Sequence, residues 1–177
     1  MGRQSSFNKV NLFTGIIFNE QIDPVDLVYQ LEKTFSRVDI ASDIIKFDFT
    51  DYYYPEMGES LKRQFISFED LIYPEQLPEI KLITNKIEND LSRSGKRIVN
   101  LDPGYLSDAN VIIATTKNYY QRVPLTDGIY AHMEYVLIGK ELKILEWTYP
   151  DFRSEEYKDF FRKMIPLYKK KISSERI

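Results

Sequence analysis

Cysteine is absent from the sequence, and histidine occurs once, as His132. Without cysteine there can be no disulfide, thiolate nucleophile, zinc ribbon or iron–sulfur cluster, and one histidine excludes a metal site built from histidines. Any metal held by these side chains would be a hard, oxygen-bound ion such as magnesium. No stretch approaches the roughly 18 uncharged apolar residues of a membrane span, and MGRQSSFNKV lacks an apolar segment of signal-peptide length. A soluble cytoplasmic protein with no membrane partner is therefore expected. Met1-Gly2 followed by Ser6 superficially fits the myristoylation pattern, but Arg3 and the lack of any other eukaryotic signal speak against that use. Excess positive charge is missing too. With 24 Lys and Arg against 27 Asp and Glu the net charge is −3, and the pI is about 5.3. That balance lacks the footprint of a general nucleic-acid binder, so no DNA partner is expected, although a local basic groove remains compatible with it.

Nucleotide and hydrolase motifs are also lacking. Gly95-Lys96-Arg97 resembles the end of a phosphate-binding loop, but Asp90 stands where the earlier glycine is required and no Ser or Thr follows the lysine. Asn85-Lys86-Ile87-Glu88 brushes against a guanine-reading motif, yet lies within a helical pattern and has glutamate in the specificity position. There is no GxGxxG, no GxSxG and no Ser/His/Asp order compatible with a triad.

What is present suits one domain spanning residues 1–177, with 43% hydrophobic residues and an aromatic set of 13 Tyr and 11 Phe that fits half-buried faces. Val10 to Phe18 is apolar on both faces and reads as an interior strand. Asp23-Pro24 caps a helix with Leu27, Val28, Leu31 and Phe35 at helical spacing. Val38 to Phe49 reads as a strand with a bulge at Ser42-Asp43, and Leu61 to Phe68 as the next. A helix begins near Pro78 and buries Ile80, Ile83, Ile87 and Leu91; Lys81, Asn85 and Glu88 form a second stripe, read as a solvated face. Arg97 to Asp102 is a strand closed by an Asp102-Pro103-Gly104 turn. Val111 to Thr115, Arg122 to Leu125, Ile129 to Ile138 and Leu142 to Trp147 read as antiparallel strands, with Asp127-Gly128 and Gly139-Lys140 as turns. Ser107-Asp108 before VIIATT is open to a second reading as the cap of a short helix. Ser154 caps a final helix with Tyr157, Phe160, Phe161, Met164 and Tyr168 inward, Pro166 kinking or splitting it, and Lys169 to Lys171 complementing its dipole.

The stretch Phe47 to Phe68, FDFTDYYYPEMGESLKRQFISF, organises the candidate chemistry. Asp48 and Asp51 either converge on a cation, hypothetically magnesium, or as an acid/base pair, or else serve as a loop cap and a partner for Lys62 or Arg63. Lys62 and Arg63 point to opposite faces of one strand. A second constellation holds Arg97, Asn100, Asp102, Tyr105 and Lys117, which either bind phosphate or carboxylate or make ion pairs and turn contacts. His132 beside Glu134 reads as a satisfied sheet histidine. Trp147 to Asp151 is either a pocket wall or packing for the final helix.

The blocks FDFTDYY, EMG, LKR, IK-x-x-TN, NLDPGYL, ATTK, DGIYA and WTYPDFRS resemble a bacterial family of unknown function, domain of unknown function 4416, over nearly the whole chain. Some members carry an automatic label of GTP-binding protein, which the missing phosphate-binding loop does not support physically. The family often has histidine-arginine before the central hairpin. Here the pair is Gln121-Arg122, which argues against an essential histidine there.

The expected fold is α+β: a ferredoxin-like βαββαβ half extended by antiparallel strands, with a C-terminal helix. The expected site, for an anionic and nucleotide-like ligand, draws on Asp48, Asp51, Tyr52, Lys62, Arg63, Arg97, Asn100, Asp102, Tyr105, Lys117 and Arg122. The alternative is a non-enzymatic interaction or RNA-contacting module whose tyrosines 52–54 stack on bases or a partner. Polar residues converging in one cavity would favour the former, and residues spread over an open face the latter. A polymerase-like palm is the poorer third reading, because only Glu20 ends the first strand.

Overall fold

The computed structural model describes residues 5–175, so the Met1-Gly2 pattern lies outside the described residues. β1 (Val10–Phe18) is buried at every position, as its uncharged apolar run predicts. Asp23 caps α1 (Pro24–Thr34) by accepting from the Val25 amide, and Leu27 and Leu31 turn inward. The following strand is interrupted where a bulge is expected. β2 (Val38–Ala41) and β3 (Ile45–Lys46) are separate, and the Ser42 hydroxyl accepts from the Phe65 amide in the gap. Phe47 to Thr50 are loop, leading to the short α2 (Tyr54–Met57) and then β4 (Lys62–Ile72). A 3-10 turn (Pro74–Gln76) precedes α3 (Leu77–Leu91). The rest comprises β5 (Val99–Leu106), β6 (Asn110–Thr115), β7 (Val123–Pro124), β8 (Tyr130–Ile138), β9 (Glu141–Ile144), a second 3-10 turn (Asp151–Arg153) and α4 (Glu155–Ser174).

One local expectation is corrected and two open alternatives are decided. There is no turn at Asp102-Pro103-Gly104: β5 runs through it, with Asp102 opposite Gly15, Pro103 opposite Thr14 and Gly104 opposite Phe13. Pairing with β1 overrides the turn chemistry, and glycine is needed for space, since a Cβ at Gly104 would stand 2.3 Å from the Ile112 carbonyl oxygen. Ser107 caps no helix; its hydroxyl accepts from the Ala109 and Asn110 amides in the β5–β6 turn. Pro166 does not split α4, which continues through it.

The nine strands among the described residues form one antiparallel sheet along the path β2-β4-β1-β5-β6-β8-β7, with β3 beside β4 and β9 beside β8. α1 and α3 cover one face, burying Leu27, Leu31, Ile80 and Ile87 against Leu12, Ile16, Phe18, Val99 and Leu101. α4 covers the other with the expected stripe of Tyr157, Phe160, Phe161, Met164 and Tyr168, packed on Phe13, Phe65 and Tyr135. Lys171 does more than complement the helix dipole. Its ammonium donates to Asn11 Oδ1 at 2.9 Å and the Phe68 carbonyl at 2.7 Å, and pairs with Asp39. No helix among the described residues is long and apolar enough to cross a membrane.

Candidate functional site

Where β1 and β6 end and β4 and β5 begin, a cleft of about 560 Å³ opens between the Phe47–Tyr53 loop, α3 and the Tyr149–Phe152 segment. Tyr52, Arg63, Arg97, Asn100, Asp102, Lys117 and Arg122 all line it. The other expected residues stand elsewhere. Asp48 pairs with Lys46 at 2.8 Å with both side chains more than half exposed, so the contact is weak and screened. Asp51 is exposed, and its carbonyl accepts from the Tyr54 amide. Lys62 points to solvent because strand alternation turns Arg63 inward. Tyr105 packs toward Leu77 and Ile112, away from the cleft, with its hydroxyl pKa raised by burial. Among the described residues no group of three or more acidic or histidine side chains is arranged to hold a metal.

Lys81 and Glu88 correct the solvated-face reading of α3: they are 6% and 4% exposed, and with Asn85 they form one cleft wall. Their signal in the sequence is the common stripe itself, whose destination depends on how α3 lies over β5. Lys81 Nζ donates to the Leu101 carbonyl at 2.6 Å, and Glu88 Oε1 accepts from the Leu101 amide at 2.8 Å. Arg97 forks onto Glu56 and also reaches Glu88 and Asn100 Oδ1, at 3.3 and 3.1 Å. Asn100 Nδ2 donates to Asp102 Oδ2 at 2.9 Å. Burial raises the Glu88 carboxyl pKa against the pull of Lys81, and raises that of Asp151, on the opposite wall, against the pull of Arg63.

The mouth is built differently. Arg122 donates to the Lys117 carbonyl and to the Tyr149 hydroxyl, each at 2.6 Å, and Lys117 Nζ stands 3.8 Å from the centre of the Tyr52 ring. Neither cation has a carboxylate partner among the described residues. Burial pushes the Tyr149 phenol up to about 12, with Arg122 working the other way.

Behind Tyr149 lie His132 and Glu134, both fully buried. A register shift against β6 leaves Glu134 with no residue opposite, and its Oε2 accepts from the Tyr149 amide. The His132 ring stacks on Tyr149 at 4.6 Å with Nε2 3.4 Å from Glu134 Oε1, and among the described residues neither ring nitrogen makes a hydrogen bond of ordinary geometry, so this histidine is packed and not satisfied as expected. Burial, helped by Arg122, holds its pKa down at about 4, and burial holds the Glu134 carboxyl well above its ordinary range. The pair therefore favours its uncharged forms.

Neither a curated protein nor a solved structure matches the chain. The family described as Domain of unknown function (DUF4416) matches residues 8–168, the span that contains every lining residue of the cleft, and the chain belongs to that family.

Proposed function

We propose that the cleft binds an anionic small molecule of nucleotide-like size, with its anionic group at Lys117 and Arg122. One observation carries this reading: these two cations lack a carboxylate partner, whereas Arg63, Lys81 and Arg97 each have one. Unbalanced cations beside the aromatic rings of Tyr52 and Tyr149 suit phosphate or carboxylate joined to a flat body. The reading needs no magnesium, because Asp48 and Asp51 stand outside the cleft. The path β2-β4-β1-β5, with α1 and α3 on one face, supports taking that half as ferredoxin-like βαββαβ and the remaining strands as its extension.

A thermal-shift screen of nucleotides and phosphorylated metabolites tests the proposal. A true ligand at a hundredfold excess over its dissociation constant should add about 2.7 kcal/mol of apparent stability. Lys117→Ala should abolish that gain while changing the melt without ligand by less than about 0.5 kcal/mol, as for surface substitutions, and Arg122→Ala should abolish it at a cost of about 1 kcal/mol without ligand, because its bonds to the Lys117 carbonyl and the Tyr149 hydroxyl go with it. No saturable shift with any anion would sink it. A second reading, contact with RNA or a protein, draws on Tyr119 and Tyr120, which are 58% and 76% exposed close to Arg122. That reading predicts RNA affinity lost in Tyr120→Ala and retained in Arg63 variants.

A further inference from the structure

We infer that the floor of this cleft reads the hydrogen-bonding edge of a flat ring, which makes the ligand class a nucleobase-type ring amide carrying a phosphate. The inference rests on the anion reading above and adds which way round the ligand lies and what its other end must offer.

Arg63 is the first observation. Its side chain is 2% exposed, and its guanidinium carbon lies 4.5 Å from the Phe65 ring centre and 5.4 Å from that of Tyr157. Among the described residues it makes one hydrogen bond, from Nη1 to Asp102 Oδ2 at a long 3.3 Å, and its Nε is buried without a partner. A buried guanidinium with most of its five N–H donors unspent is costly, and a cleft is where a ligand can repay that cost. The backbone is shaped for it. A Cβ at Gly15 would stand 2.7 Å from Arg63 Nη2, so the guanidinium occupies space that glycine alone leaves open.

Asp102 is the second. Its Oδ2 is taken by Arg63 and Asn100, while among the described residues Oδ1 accepts no hydrogen bond, with Lys81 Nζ 3.9 Å away. Arg63 and Asp102 both line the cleft, and between them the guanidinium has unspent N–H donors and the carboxylate an oxygen without a hydrogen bond. The complement of that pair is a carbonyl beside an N–H, the edge of a ring amide. Charge fixes the orientation. Around the floor Arg63, Lys81 and Arg97 are matched by Glu56, Glu88 and Asp102, so the anionic group belongs at the unmatched Lys117 and Arg122. Phe49, Tyr52 and Tyr53 line the same cleft and offer faces to the ring.

Calorimetric titration of the intact protein with uridine and inosine monophosphates, their ring N-methyl derivatives and ribose 5-phosphate tests this. At least one of the two nucleotides should bind about tenfold or more tighter than ribose 5-phosphate, and methylating its ring N–H should erase that advantage. Asp102→Asn should erase it too; if that variant does not fold, the methylated ligands on the unaltered protein decide alone. Ribose 5-phosphate binding as tightly as both nucleotides, or methylation without effect, would overturn the inference and leave the anion reading standing. So would failure of all these probes while another phosphorylated metabolite binds. Failure of every anion would remove both.

Discussion

Beneath α1 and α3 the sheet presents Leu12, Ile16, Phe18, Ile66, Phe68, Val99 and Leu101, an apolar surface without charge. Beneath α4 it presents Phe13, Phe65 and Tyr135 together with buried Arg63, Ser67, His132 and Glu134. Close packing explains most of the first face, whose buried polar groups are the Thr14 hydroxyl and, from α3, Lys81 and Glu88 bonded to the Leu101 backbone. The second is hollowed by Gly15 and Gly104 to seat Arg63 and Phe13, and it keeps polar groups whose hydrogen bonds are incomplete. Incomplete satisfaction of buried polar groups is destabilising, so it marks the face where something other than stability has shaped the sequence.

Substitutions on the two faces separate these explanations. Gly104→Val should have the largest effect, more than about 3 kcal/mol in urea unfolding, because the obstacle is the Ile112 backbone oxygen and Phe13, with little room to yield. A smaller loss would show that β5 and β6 part easily. On the apolar face, Leu31→Ala should cost about 2–3 kcal/mol and leave anion binding unchanged, since Leu31 is fully buried away from the cleft. Altered ligand affinity in that variant would break the contrast between the faces.

Gly15→Ala should cost less, about 1–2 kcal/mol, because the end of the Arg63 side chain can shift, but it should weaken the nucleotide probes by displacing the guanidinium. Unchanged affinity would detach Arg63 from recognition. The smallest effect concerns pH. The folded-state pKa of His132 is depressed from 6.5 to about 4, so between those values the unfolded chain binds more protons and stability falls as pH falls. Glu134, with its pKa raised, acts oppositely: its folded state holds the extra proton, and that contribution fades as pH rises above 4.5. His132→Phe should therefore reduce the stability lost between pH 7 and 6 by about 0.7 kcal/mol, measured by urea midpoints at both values.

Elements whose signal lies within their own residues were legible in the sequence. The apolar run of β1, the Asp23-Pro24 start of α1 and the inward stripe of α4 all stand where their patterns place them. Signals set by distant partners were not. Asp102-Pro103-Gly104 has turn chemistry, but β1 alongside makes it strand, and the bulk of Phe13 requires its glycine. Lys81 and Glu88 look like a solvated stripe until α3 is laid beside the Leu101 backbone. The candidate residues collected in the cleft are largely those at ends of strands that meet at one end of the sheet. Asp48 misses it because the strand expected to carry it stops at Lys46, and Asp51 stands exposed in the loop beyond.

The clasp made by α4 bears on how the chain is synthesised. Lys171 bonds to Asn11, 160 residues away, and to the Phe68 carbonyl, 103 residues away, while the Tyr168 hydroxyl donates to the Lys9 carbonyl. A growing chain that has made every strand still carries the rings of Phe13, Phe65 and Tyr135 uncovered until α4 emerges. Such long-range closure slows folding, and it exposes an aromatic surface to aggregation during that interval. A chain released before α4 has docked would thus carry a nearly complete sheet with one aromatic side uncovered, a form for chaperones to hold.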